Sequence, residues 1–343
     1  MEVIRVNNHI FHLLNEWFPN RDNSRWVLGT VYATQGSSYR KAGSHMLFND
    51  FGGKLGLLSG GCLESDLHRK ANQALLENQA IKVRYDTSDE QDIDFKMGLG
   101  CGGIVDILLQ PLHKENNYLH LEEVFHSLKA NSAVIYKQKI PSARKGNVAT
   151  AFVEQSWVDF SDVKKATIES NNQEHWLISH FVPLPQLLVI GGGIDARPLV
   201  SMASQLGWET MVVDPRPANA RVEHFPDATN IEKCKPDEIS TMSWLQHINA
   251  AVIMSHNVEL DAGGLKALAH HPLSYCALLG PNHRQEQVLK KANLLKADLL
   301  FKLAGPAGLD LGAELPESIA LSILAECHAA IFNGSAKSLS HIL

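Results

Sequence analysis

The rhythm of apolar positions changes along the chain. From residue 187 onward they come in short unbroken runs: Leu187-Leu188-Val189-Ile190, Thr210-Met211-Val212-Val213, Ala250 to Met254 and Leu273 to Leu279. Between these runs, Leu199 to Leu206, Glu259 to His270 and Arg284 to Lys296 carry helical spacing. Unbroken runs fit strands buried on both faces, and strands alternating with helices predict a parallel, doubly wound sheet with right-handed crossovers. A closing helix is predicted from Pro316 to Phe332, stopping near Asn333-Gly334.

The upstream half is less regular. Val6, Ile10, Leu13, Leu14 and Trp17 share a helical face that ends at Pro19-Asn20, and Trp26 to Thr34 reads as a strand. Short apolar runs follow at His45 to Phe48 and Lys54 to Leu58. Helical spacing returns at Leu63, Leu67, Ala71 and Ala74, and again at Leu121, Val124, Phe125 and Leu128, with a strand at Ile104 to Leu109 between them. Ala133 to Phe181 is weakly β-like. Two prolines in Val182-Pro183-Leu184-Pro185 mark a boundary. The pattern therefore predicts an α/β protein: a mixed α+β domain over residues 1–182 followed by a Rossmann-like, doubly wound parallel-sheet domain over residues 183–343.

Composition agrees with two cores, since 343 residues with 45% hydrophobic and 20% charged side chains suit two globular domains. The net charge of −6, from 31 basic and 37 acidic groups, speaks against a nucleic-acid surface and leaves no polybasic membrane patch. No basic stretch followed by an apolar one occurs in Met1 to Phe18, and no run approaches a bilayer span, so a cytoplasmic location is expected. The odd number of cysteines, five, scattered along the chain, reads as reduced thiols rather than a disulfide framework.

Candidate chemistry lies in three places. Gly191, Gly192 and Gly193 follow a buried strand and precede a helix, and Asp214 ends the next strand about 20 residues on, where a dinucleotide-binding fold places its ribose-binding acid. Gly191, Gly193, Asp214, His256 and Asn257 would then line one crevice at the carboxyl ends of the strands. Asp195 is placed to cap the following helix, and a carboxylate there repels the pyrophosphate of an ordinary dinucleotide. The second place is Gly36-Ser37-Ser38-Tyr39-Arg40-Lys41-Ala42-Gly43-Ser44, whose glycines, hydroxyls and cations suit a loop around an anion. A solvated hairpin loop is the competing reading. The third is a pair of glycine-flanked cysteines, Gly60-Gly61-Cys62 and Gly100-Cys101-Gly102. Cys62 falls just before a helix, where free amides stabilise a thiolate, and a soft thiolate suits a soft metal centre or sulfur transfer. A small residue at a tight turn is the competing reading for each. No Cys-x-x-Cys or paired-histidine spacing points to structural zinc.

Together these motifs make the chain resemble the xanthine dehydrogenase accessory protein family (XdhC/CoxI). Gly36-Ser37-Ser38-x-Arg40, Ser59-Gly60-Gly61-Cys62-Leu63-Glu64 and Gly98-Leu99-Gly100-Cys101-Gly102-Gly103 look like its N-terminal signatures. The glycine turn, Val213-Asp214-Pro215-Arg216-Pro217, Ser255-His256-Asn257-x-Glu259-Leu260-Asp261 and Gly308-Leu309-Asp310-Leu311-Gly312-Ala313-Glu314 look like its Rossmann domain. Tyr39 and Ile194-Asp195 depart from it, standing where many relatives carry proline and histidine. The resemblance implies a homodimeric factor, a chaperone rather than an enzyme. Such a factor binds the molybdenum cofactor (molybdopterin), supports its sulfuration by a cysteine desulfurase and delivers it to a molybdenum hydroxylase apoprotein. Cys62 and Cys101 would contact molybdenum or its sulfur through the cofactor. The residues alone leave two other readings: an NAD(P)-dependent oxidoreductase with Asp214 on the ribose and His256 as proton donor, and a scaffold that joins hydroxylase and desulfurase without holding the cofactor.

Overall fold

The computed structural model describes residues 8–59, 63–86, 103–146, 151–155, 166–171, 174–340 and 342. The chain forms two compact units, Met1–Pro183 and Leu184–Leu343.

In the first unit, α1 (Ile10–Trp17), β1 (Trp26–Gln35), β2 (His45–Asn49), β3 (Lys54–Gly56), α2 (Glu64–Glu77), β4 (Ala80–Asp86) and β5 (Ile104–Leu112) come in order. They are followed by α3 (Leu121–Lys129), β6 (Val134–Ile140), β7 (Lys145–Gly146), β8 (Ala151–Gln155), β9 (Thr167–Asn171) and β10 (Glu174–Phe181). One antiparallel sheet runs β3-β2-β1-β5-β4-β7 and a second runs β8-β6-β10-β9. The period of two explains how the larger sheet is covered on both faces. Leu28, Leu47 and Leu108 point into a core with α1, α3, Tyr136 and Phe181. Their neighbours Val27, Phe48 and Leu109 point the other way, onto Leu67, Ala71 and Ala74 of α2.

A buried polar chain crosses the first of these cores. Gln138 on β6 donates its amide to Thr30 Oγ1 (3.1 Å) and Gln110 Oε1 (2.7 Å), and its carbonyl oxygen lies 3.3 Å from His45 Nε2. Burial pushes the His45 imidazole down to about 4 from 6.5. The unfolded chain therefore takes up this proton first, and stability is lost as pH falls from about 6.5 through about 4. Between about pH 7 and about pH 5 His45 is expected to cost this unit about 2 kcal/mol. Urea unfolding at both pH values measures the loss; His45→Gln should flatten the acid limb, and an unchanged limb in that variant would assign it elsewhere.

The second unit contains β11 (Gln186–Ile190), α4 (Ala196–Gln205), β12 (Glu209–Val213), β13 (Asn230–Glu232) and β14 (Ala250–Ile253). After these come α5 (Val258–Leu268), β15 (Tyr275–Leu278), α6 (Asn282–Ala292), β16 (Leu303–Ala304) and α7 (Pro316–Ile331). Its six strands are all parallel, in the order β13-β12-β11-β14-β15-β16. This is the Rossmann strand order, with its switch point between β11 and β14. Leu188, Ile190, Ala251 and Ile253 pack under α5 and α6, and α4 and α7 pack on one another and on the sheet. The predicted helix to Lys296 ends earlier, because Asn293 turns left-handed (φ 55°) and caps α6.

Candidate functional site

In the Rossmann unit the glycine turn is built by close approach. Gly191 has φ +115°, and a Cβ there would lie 2.5 Å from Ser255 Cα, so the backbones after β11 and β14 meet where no side chain fits. Gly193 faces open space, with His256 Cδ2 4.0 Å from where its Cβ would stand.

Asp214 sits at the end of β12 with no exposed surface. Its carboxylate accepts from the Gly192 amide (2.8 Å), the Arg216 amide (2.9 Å), Arg216 Nε (2.8 Å) and Nη2 (2.6 Å), and Asn219 Nδ2 (3.1 Å). Burial pushes this carboxyl up, but the donors from Arg216 and the Gly192 amide outweigh it and leave the group below its usual range. A carboxylate has about four lone-pair directions, all of them engaged here. The expected ribose contact is thus corrected: Asp214 braces the glycine turn from inside and has no acceptor left for a sugar, which removes the support for NAD(P).

The loop after β14 is equally committed. Ser255 donates its amide (3.1 Å) and hydroxyl to Asp261 Oδ1; Arg284 donates to Asp261 Oδ2. The Asn257 side chain caps α5, its oxygen accepting from the Glu259 (2.9 Å) and Leu260 (3.2 Å) amides. His256, with φ +56°, holds Nε2 3.0 Å from Asp195 Oδ2. Asp195 occupies the N-cap position of α4 but makes no side-chain capping bond, so the expected competition for the helix amides does not occur.

In the first unit the structure joins two of the predicted signatures. A Cβ on Gly103 would lie 2.1 Å from the Ser37 carbonyl oxygen and 2.6 Å from that of Gln35, so the end of the Gly98–Gly103 motif is seated against the Gly36-Ser37-Ser38 loop. The loop closes on β1 through Gly43 N to Val31 O (2.8 Å) and Val31 N to Ser44 O (2.9 Å). Ser38 Oγ and Arg40 Nε are buried without a hydrogen-bond partner. Burial holds the Arg40 guanidinium below its ordinary value.

Gly60, Gly61, Cys62, Cys101 and Gly102 lie outside the described residues. The flanks of the first cysteine motif are locked by a residue whose role the spacing did not disclose. Glu64, 6% exposed, accepts from the Ser59 amide (3.0 Å) and hydroxyl (2.6 Å), and Ser59 Oγ accepts from the Leu63 amide (3.2 Å). A serine ahead of a helix with an acid in its first turn was the available signal, a relative of the capping box. Of the described cysteines, Cys234, Cys276 and Cys327 are free. Burial pushes the Cys276 and Cys327 thiols far up and makes them poor nucleophiles. Among the described residues no group of three His, Cys, Asp or Glu side chains is arranged to hold a metal ion, and no helix is long and apolar enough to cross a membrane.

Comparison with known proteins adds sequence relatives to this geometry. Residues 187–327 match the family model described as the XdhC Rossmann domain, and residues 20–86 match that of the XdhC and CoxI family. A Bacillus subtilis (strain 168) protein described as a probable xanthine dehydrogenase subunit is 31% identical over 316 residues, spanning 89% of this chain and 93% of that one. The molybdenum cofactor insertion chaperone PaoD of Escherichia coli (strain K12) is 23% identical over 302 residues, 88% of this chain and 81% of that one. The crystal structure of a Bacillus halodurans protein described as a xanthine dehydrogenase superposes with a TM-score of 0.79 at 29% identity, covering 97% of this chain and 98% of the other.

Proposed function

The chain belongs to the XdhC and CoxI family, and from that premise we propose that it serves a xanthine dehydrogenase-type molybdenum hydroxylase as an accessory factor that holds the molybdenum cofactor. It presents the cofactor for sulfuration by a cysteine desulfurase and passes it to the hydroxylase apoprotein, acting as a homodimeric chaperone rather than as an enzyme. The observation that carries this reading is the seating of Gly103 against the Gly36-Ser37-Ser38 loop, which brings the end of a cysteine-bearing glycine motif to a loop holding a guanidinium whose Nε has no partner.

The residues present suit such a guest. Arg40 and Ser38 offer donors to an anionic group, Gly36 and Ser37 shape the loop that carries them, and Cys62 and Cys101 supply soft sulfur. Gly60, Gly61 and Gly102 carry no side chain that would keep a ligand from the backbone. The cofactor, when bound, supplies molybdenum and its sulfur ligands; the chain's part is to bind, orient and shield it. In the Rossmann unit, Gly193 and His256 border the open side of the glycine turn, while Gly191 and Asp214 fix its shape.

Incubation of the purified protein with released cofactor, followed by gel filtration, tests this. Wild type is expected to retain the cofactor and the Cys62→Ala, Cys101→Ala double variant to lose it. No retention by wild type, or equal retention by both, overturns the reading. Retrieval of hydroxylase and desulfurase by a double variant that holds no cofactor would favour a scaffold instead.

A further inference from the structure

The partly buried arginines among the described residues differ in what balances them. Arg216 and Arg284 are each anchored on a fully buried carboxylate, Asp214 and Asp261, so their charge is already balanced. Arg40 is different. Its Nε is buried and unpartnered, no carboxylate among the described residues lies within ion-pair distance of it, and the buried hydroxyl of Ser38, two residues away, also lacks a partner. A guanidinium drawn partly out of water without a counter-charge costs free energy that folding must offset elsewhere. The adjacent cation, Lys41, is exposed and adds to the local positive charge rather than relieving it.

The surroundings fix this arrangement. The loop runs on from β1 and is tied back to it at Gly43 and Ser44, and Ser44 N donates to Lys41 O (3.2 Å), which closes a turn directly after Arg40. Gly103 packs against the Gln35 and Ser37 carbonyls from β5. His45, at the start of β2, is buried and held well below its ordinary value, so it adds no second cation beside Arg40. The loop is thus held with a planar five-donor cation and a hydroxyl left uncompensated, which is the donor set for a tetrahedral oxyanion.

We propose that the Gly36–Ser44 loop is a phosphate site: Arg40 supplies charge and paired N–H donors, Ser38 supplies a hydroxyl, and the ligand is inorganic phosphate or the phosphate group of an organic ester. The proposal rests on the cofactor reading only for where such an ester comes from. A phosphate there compensates the buried guanidinium, so ligand binding and fold stability are coupled at this loop.

Thermal unfolding and calorimetric titration in phosphate-free buffer, with inorganic phosphate and glycerol phosphate as probes, test the site. Wild type is expected to gain Tm with millimolar phosphate. Arg40→Gln is expected to weaken phosphate binding by roughly tenfold to a hundredfold and Ser38→Ala by about fivefold, while Arg40→Lys, which keeps the charge but not the fork, falls between. Without phosphate, Arg40→Gln should melt no lower than wild type, because it removes an uncompensated cation. Three results overturn the proposal: no response of wild type to either probe, an equal response of wild type and Arg40→Gln, or a lower Tm of Arg40→Gln in phosphate-free buffer. A stronger response to glycerol phosphate than to phosphate assigns the site to an ester, and the reverse assigns it to the free ion. Cofactor retention is read separately. Arg40-dependent phosphate binding without retention leaves this site standing and removes the cofactor reading, whereas retention with no phosphate response does the opposite.

Discussion

Replacing Asp214 by alanine is expected to lower the stability of the Leu184–Leu343 unit by about 1–3 kcal/mol, the cost of leaving the donors gathered on a buried carboxylate without their acceptor while the Arg216 side chain, 41% exposed, reaches water. The carboxylate is fully buried and gathers donors from Gly192, Arg216 and Asn219. Its loss leaves the Arg216 guanidinium with the Ser255 carbonyl, at 3.1 Å, as its anchor among the described residues, and it frees the amide that sets the glycine turn. Asp214→Asn should cost less, since one oxygen survives, but its amide nitrogen would face donors. Because the carboxylate and the amide it braces are buried, raising the salt concentration should shrink neither loss appreciably. Hydrogen exchange in β11 and β12 reads this unit separately from the other. Loss of protection worth less than about 1 kcal/mol in Asp214→Ala would mean that the brace is not structural.

The same residue shows where sequence reading reaches its limit. Unbroken apolar runs found β11, β12, β14 and β15, because strands buried on both faces carry their signal locally. β13 and β16, three and two residues long, are edge pairings with too few positions for any period to show. The acid at the end of β12 was legible. Its saturation was not, because it depends on a turn that brings Arg216 and Asn219 back onto it. Asp195 illustrates the same gap: the local rule gave it to its own helix, whereas the fold gives it His256, 61 residues away. Asn257, which follows a strand end and could cap a turn or meet a ligand, caps α5 with its side-chain oxygen. In the first unit the anion loop was visible in its composition. Its meeting with Gly103 was not, because that contact is made by pairing Gln35 with Ile104 across two strands remote in sequence.

That pairing makes Gly103→Ala the sharper probe of the first unit. The added methyl would stand 2.1 Å from the Ser37 carbonyl oxygen and 2.6 Å from that of Gln35, both backbone atoms that cannot swing aside as a side-chain tip would. Either the start of β5 or the loop must shift. Overpacking of this kind costs about 1–3 kcal/mol and sometimes more, and the upper end is expected where the obstacle is backbone on both contacts. Ser37 is exposed, so the loop is the softer side, and the shift is expected to fall mainly on the segment carrying Ser38 and Arg40. The phosphate response should therefore drop by roughly tenfold or more, the loss of at least one charge-assisted hydrogen bond. A Gly103→Ala protein with wild-type Tm and wild-type phosphate affinity would show that the loop tolerates the methyl in place. A lowered Tm with unchanged phosphate affinity would place the strain on β5 and separate the glycine motif from the anion loop. Loss of both ties the two signatures into one site, whose geometry depends on the absence of a side chain at residue 103.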